Sequence, residues 1–205
     1  MLEGIHWLGH ASFRIDDEAT IYIDPWKIAG GPPADLILVT HAHHDHLSPD
    51  DIARVRTPDT VIVCPAQCTN EIEGDVRVVE PGQTLLVGPV TVEAVPSYNT
   101  NKPNHPKAAG NVGYVVTVGG RRIYHAGDTD LIPEMADIRC DVALLPIGGT
   151  YTMNVDEALR ALERITPQVA VPMHWGDIVG DKEDAERFRR KAPKGVRVEV
   201  LTAER

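Results

Sequence analysis

The sequence predicts an α+β fold in which two β-sheets pack together with helices on the outside. Three observations predict it: many short strand patterns, their division into two sequential batches, and a helical segment after each batch. No Pro/Gly/Ser-rich linker or charge run interrupts the 205 residues, so a single domain spanning 1–205 is expected, long enough to bury a core.

In chain order, Ile5–Leu8, Ser12–Ile15 and Thr20–Ile23 read as short strands separated by glycine and acidic turns. The wholly apolar run Leu36-Ile37-Leu38-Val39 reads as a buried strand that stops at Thr40. Ser48-Pro49-Asp50-Asp51 reads as a helix start: a hydroxyl N-cap, proline at the first position and acids in the first turn. Val61–Cys64, Val76–Val79, Thr84–Val87 and Val90–Val95 follow as strands, with turns at Pro81-Gly82 and Gly88-Pro89. Gly113–Val118 and Arg121–Tyr124 read as a hairpin across Gly119-Gly120, and Val142–Leu145 as another buried strand. Asn154 caps a helix whose Val155, Ala158, Leu159, Leu162 and Ile165 share one face. Val169–Val171 is a strand running into Pro172-Met173-His174, Asp181–Ala192 a charged surface helix, and Val196–Leu201 closes the chain.

Composition narrows the function. A formal charge of −10 argues against a nucleic-acid partner, because such proteins present a basic face to phosphates. Three cysteines make no disulfide framework, and the Cys64/Cys68 spacing matches neither a redox pair nor a common zinc motif. There is no basic-then-apolar leader and no apolar run long enough for a membrane span, so a cytoplasmic protein with a small-molecule substrate and no membrane partner is expected. The sequence leaves the oligomeric state unknown.

The chemistry concentrates in Thr40-His41-Ala42-His43-His44-Asp45-His46-Leu47. Four of the nine histidines fall within six residues, directly after an apolar strand. A tight loop there aims several imidazoles and a carboxylate at one point, as metal binding requires, whereas a solvated loop has no reason to concentrate them.

His41, His43, Asp45 and His46 match the His-x-His-x-Asp-His signature, and here the sequence resembles the metallo-β-lactamase superfamily. Trp7-Leu8-Gly9-His10-Ala11 and Ile23-Asp24-Pro25 resemble the opening of its small cytoplasmic branch containing the ascorbate-6-phosphate lactonases. His125-Ala126-Gly127-Asp128-Thr129 resembles the motif whose Asp bridges two metals, and Pro172-Met173-His174-Trp175-Gly176 the motif whose His completes the second site. The resemblance implies a four-layer αβ/βα sandwich and one or two divalent ions, zinc by family default, with manganese, iron or nickel also compatible with histidine and carboxylate donors. It also implies ligand sets: His41 and His43 for one ion; Asp45, His46 and His174 for the other; Asp128 shared. The family's third motif places a His after a strand, where Val95-Pro96-Ser97-Tyr98-Asn99 puts Asn99 instead. His105, His10 and His125 are the residues available to substitute, while His44 points away.

The implied activity is hydrolysis of a small ester, lactone or phosphodiester by a metal-bound hydroxide. Asp45 would hold the nucleophile or assist proton transfer, and Asp24 would orient a ligating His from behind. Lys102, His105 and Lys107 in the loop after Asn99 suggest an anionic substrate such as a sugar phosphate, and the Gly148-Gly149-Thr150 turn could offer backbone N–H groups to it. Two alternatives remain: a nucleic-acid phosphodiesterase, and a non-catalytic metal-binding or sensing protein whose first site has decayed at Asn99.

Overall fold

The computed structural model describes residues 1–204; Arg205, the last residue of the expected domain, lies outside the described residues. Among the described residues, thirteen strands divide into two sheets along the chain. The first contains β1 (Ile5–Gly9), β2 (Ser12–Asp16), β3 (Thr20–Ile23), β4 (Leu36–Leu38), β5 (Val61–Cys64) and β6 (Asp75–Val78), in sequence order. β1, β2 and β3 are antiparallel, and β3 to β6 run parallel.

The second sheet repeats the plan. It holds β7 (Thr84–Val87), β8 (Val90–Pro96), β9 (Val112–Val118), β10 (Arg121–His125), β11 (Val142–Pro146), β12 (Val169–Met173) and the two-residue β13 (Arg197–Val198). The first four are antiparallel and the last four parallel. The β9–β10 hairpin turns through Gly119 and Gly120, both left-handed (φ 55° and 73°), with Arg121 opposite Val118. That is the conformation a two-residue hairpin needs and glycine supplies without strain.

Alternation along the strands assigns the faces. Leu36 and Leu38, like Val61 and Val63, join the large core shared by both sheets. Ile37 and Ile62 point the other way, into a second cluster with Ile52 and Val55 of helix α1 (Pro49–Val55). Helices α2 (Val155–Ile165) and α3 (Lys182–Lys191) bury Val155, Ala158, Ala161, Leu162 and Ile165, and Ala185 and Phe188, against the large core. Two sheets face to face with helices outside are the architecture expected from the sequence.

The caps are those the sequence marks. Ser48 accepts from the Asp51 backbone N–H, and Asn154 and Glu157 form a reciprocal capping box. One face of α2 differs by a residue: Ala161 is buried, while Leu159 is only partly so. Short 3₁₀ turns at Ala66–Glu71, Lys107–Ala109 and Pro133–Asp137 have no periodic signal in the sequence. Cys64 and Cys68 are fully buried thiols. No helix among the described residues is long and apolar enough to cross a membrane.

Topology places the chemistry. Asp24, Thr40 to His46, Ser97 to His105, Asp128, Tyr151 and His174 all follow the carboxyl ends of strands: β3, β4, β8, β10, β11 and β12. Loops at that edge of a sandwich converge on one crevice, where strand topology favours ligand sites.

Candidate metal centre

The loop after β4 is built from both ends. Thr40 donates its backbone N–H and its hydroxyl to the two oxygens of Asp24, at 2.8 and 2.7 Å. Because the hydroxyl proton is committed, Thr40 Oγ1 accepts from His41 Nδ1 at 3.0 Å, leaving His41 Nε2 with its lone pair. Asp24 Oδ2 also lies 2.7 Å from His46 Nδ1, so His46 Nε2 is bare in the neutral ring. One buried carboxylate and one hydroxyl thus aim two imidazoles, the arrangement by which outer groups orient metal-binding histidines.

The first cluster combines His41, His43 and His105. His43 Nδ1 lies 3.1 Å from His41 Nε2 and 3.0 Å from His105 Nε2, and Asp128 Oδ2 lies 3.4 Å from His105 Nε2. Two nitrogens bound tetrahedrally to one zinc ion stand about 3.3 Å apart, so these spacings are those of a ligand set.

The second cluster joins Asp45, His46 and His174. Asp45 Oδ2 is 3.6 Å from His46 Nε2 and 3.9 Å from His174 Nε2. Asp128 spans both clusters: Oδ1 is 3.2 Å from His46 Nε2, while Oδ2 is 3.1 Å from His174 Nε2 and 4.0 Å from His41 Nε2. His46 Nε2, His174 Nε2 and Asp128 Oδ1 are buried without a hydrogen-bond partner. Buried polar atoms left unpaired and converging on one point are what a bound cation would satisfy, so the donors fit the group the motifs imply. All are nitrogen or carboxylate oxygen, which suits zinc, manganese, iron or nickel.

His10 joins the second cluster from behind. Its Nε2 lies 3.0 Å from Asp45 Oδ2 and its ring packs, tilted by 43°, against that of His174 with centroids 4.0 Å apart. Its carbonyl accepts from Trp7 Nε1 and from the His174 backbone, which ties the opening motif to the last one. His10, Asp24 and His174 all adopt left-handed backbone (φ 50°, 47° and 58°). Such non-glycine residues cost roughly 1–3 kcal/mol each and cluster at functional sites.

Three expected participants sit elsewhere. His125 donates Nε2–H to the Ala11 carbonyl and accepts the Gly127 N–H at Nδ1, so both ring nitrogens are used in tying β10 to the β1–β2 turn. The Asn99 amide bonds to His105, Asp130 and the Tyr151 carbonyl, and faces neither cluster as a donor. In the Gly148-Gly149-Thr150 turn, Gly149 N–H goes to the Met153 carbonyl and Thr150 N–H to the Gly148 carbonyl, so neither is offered to an anion. The basic loop is also spoken for: Lys102 pairs with buried Asp130, and Lys107 with Glu134 and Tyr98. His44 is exposed and belongs to neither cluster.

Charge in the site is uneven. Burial pushes His41 well below the usual imidazole range, with the charge of His46 adding to it, and burial likewise lowers His105 and His10. Burial also opposes the charge on His46, but the Asp128 and Asp24 carboxylates outweigh it and hold His46 well above its ordinary value. Burial would raise Asp128 and Asp45; His174 and His46 hold Asp128 well below the carboxylate range, and His10 and His46 hold Asp45 below it.

Above the clusters is a pocket of about 180 Å³ whose floor includes His43, Asp45, His105 and Asp128. Asn104, Tyr151, Ile178 and His44 form its mouth, and no Lys or Arg among the described residues lines it. Sequence reading missed Thr40, Asp130 and Tyr151. The first two carried a signal, a hydroxyl directly before the histidine run and a second Asp two residues after Asp128.

Comparison with known proteins assigns the class. The model of the β-lactamase superfamily domain matches residues 4–174, and the chain belongs to that superfamily. It is 35% identical over 219 residues to a metal-dependent hydrolase of Archaeoglobus fulgidus, covering 96% of this chain and 94% of the relative. Among solved structures, it resembles a protein of Parabacteroides distasonis described as a metal-dependent hydrolase, with 33% identity, 98% and 93% of the two chains covered and a TM-score of 0.86. It also resembles a metallo hydrolase of Ignicoccus hospitalis, with 25% identity, 98% and 95% covered and a TM-score of 0.81.

Proposed function

We propose that this protein is a hydrolase that uses two divalent ions to cleave a small ester, lactone or phosphodiester. The observation that carries the reading is Asp128, whose two oxygens face donors of both clusters. The three relatives described above, named as metal-dependent or metallo hydrolases, support it. When bound, such ions lower the pKa of water toward neutrality and polarise the bond under attack.

The chain's own residues set the rest. His41, His43, His105 and Asp128 would hold the first ion, and Asp45, His46, His174 and Asp128 the second. Asp45 is held ionised so firmly that it is a weak base; its role is to carry charge and accept a hydrogen bond from water. Asp24 and Thr40 keep the ligating rings aimed. The small pocket supports a small-molecule substrate over a nucleic-acid strand.

The mouth residues Asn104, Tyr151 and Ile178 favour a substrate whose remote part is uncharged, in place of the phosphorylated one the basic loop suggests. A lactone is among the candidates because residues 7–11 and 23–25 resemble the lactonase branch. His105 supplies a third nitrogen to the first cluster, which removes the reason for a decayed site.

The test pairs plasma mass spectrometry of the purified protein with hydrolysis assays on neutral esters, lactones, sugar phosphates and phosphodiesters. Two metal equivalents and turnover of a neutral ester or lactone are expected. Two equivalents with no turnover of any substrate would overturn the enzyme reading, and turnover of sugar phosphates alone would overturn the uncharged class.

A further inference from the structure

Asn99 occupies the family's histidine position, yet it is 8% exposed and every polar atom of its side chain is engaged. Its Nδ2 lies 3.2 Å from Asp130 Oδ1 and 2.9 Å from the Tyr151 carbonyl. Both are acceptors, so the amide nitrogen must be on that side. Its Oδ1 accepts the His105 backbone N–H at 3.0 Å, and that group can only donate. The amide orientation is therefore fixed by chemistry on both sides.

The same Oδ1 lies 3.0 Å from His105 Nδ1. An acceptor there requires a proton on Nδ1, and in a neutral imidazole that leaves the lone pair on Nε2. Nε2 is the atom 3.0 Å from His43 Nδ1 and 3.4 Å from Asp128 Oδ2. The Asn99 backbone N–H in turn donates to the His105 carbonyl at 2.7 Å, closing the loop on itself. Asp130, 1% exposed, anchors the far side and also accepts the Thr100 N–H at 2.8 Å.

We infer that Asn99, anchored by Asp130, is a positioning residue that fixes His105 in the orientation and tautomer needed to hold the first metal ion. This rests on the reading of His105 as a ligand. The residue that departs from the motif has not abandoned the site; it has moved one step back and holds the ligand that replaced it. Because Asp130 lies two residues from Asp128, the hold also ties His105 to the bridging carboxylate's own loop.

The first test reads the tautomer in the wild-type chain. Nitrogen-15 NMR of histidine-labelled, chelator-treated protein, with His105 assigned by its loss in His105→Gln, is expected to show the proton on Nδ1. A proton on Nε2 would overturn the inference. The second test is zinc titration by calorimetry. Asn99→Ala is expected to weaken one of two zinc sites by about 10–100-fold and leave the other intact. Asn99→Asp should do the same by setting two carboxylates against each other, and adding Asp130→Asn should recover most of the loss by restoring a donor opposite an acceptor. Wild-type affinity at both sites in Asn99→Ala, or no recovery in the double variant, would also overturn it. A wild-type chain that binds no zinc through His105 would instead sink the ligand reading, while the NMR result would still report on Asn99.

Discussion

Asp24 shows how much of a site can hang on one buried side chain that touches no substrate. It receives Thr40 twice and His46 once, and through Thr40 it also sets His41. Asp24→Ala is expected to lower zinc affinity by about 10–100-fold at the second site, read by competition with a chromophoric chelator. His105→Ala should reduce the metal content from two ions to one, read by plasma mass spectrometry. At this scale the sequence was informative where a motif supplied spacing, as for His41, His43, Asp45, His46, Asp128 and His174, which the structure brings together. It was ambiguous where a ligand comes from an irregular loop. His105, His10 and His125 were all candidates in the sequence, with His105 and His10 ahead, and the hydrogen bonds of the folded chain separate them.

Among the elements, the helix caps behave as independent local devices. Asn154→Ala removes one half of the capping box on α2 and should cost about 1 kcal/mol, lowering the melting temperature without altering metal content. Val61–Cys64 and Thr84–Val87 are legible in the sequence to the residue, because both are bounded by turn or breaker residues. β13 is shorter than the Val196–Leu201 stretch that closes the chain, because Arg197 and Val198 alone pair in register with β12 and Glu199 adds one backbone bond to Ala170. The 3₁₀ turns escaped because three residues per turn over one or two turns leave no hydrophobic period to detect.

For the molecule as a whole, the metal centre couples proton and metal equilibria. His46 has its pKa raised by Asp128 and Asp24 over the opposing effect of burial, so in the metal-free protein its protonated form is favoured and a metal must compete with that proton. Zinc affinity is therefore expected to fall as pH falls, and zinc uptake at pH 7 to release protons. Calorimetry in buffers of different ionisation enthalpy measures that release, and a buffer-independent enthalpy would count against it. The two-sheet plan was readable from the order of strand patterns. The meeting of loops from both sheets at one edge came only through the family resemblance, because nothing local in the chain encodes it.

The first sheet is made wholly from residues before Gly82 and the second wholly from residues after it, joined by the exposed turn Pro81-Gly82-Gln83. His41, His43, Asp45 and His46 belong to one half, and His105, Asp128 and His174 to the other. The chain is in effect two fragments held together by a shared apolar face, and each ion of the proposed centre would take ligands from both. Co-expressed as separate pieces cut at Gly82, the fragments should reassemble and co-purify. Zinc should tighten their association and a chelator should loosen it, so that the metal acts as the clasp of a two-piece molecule.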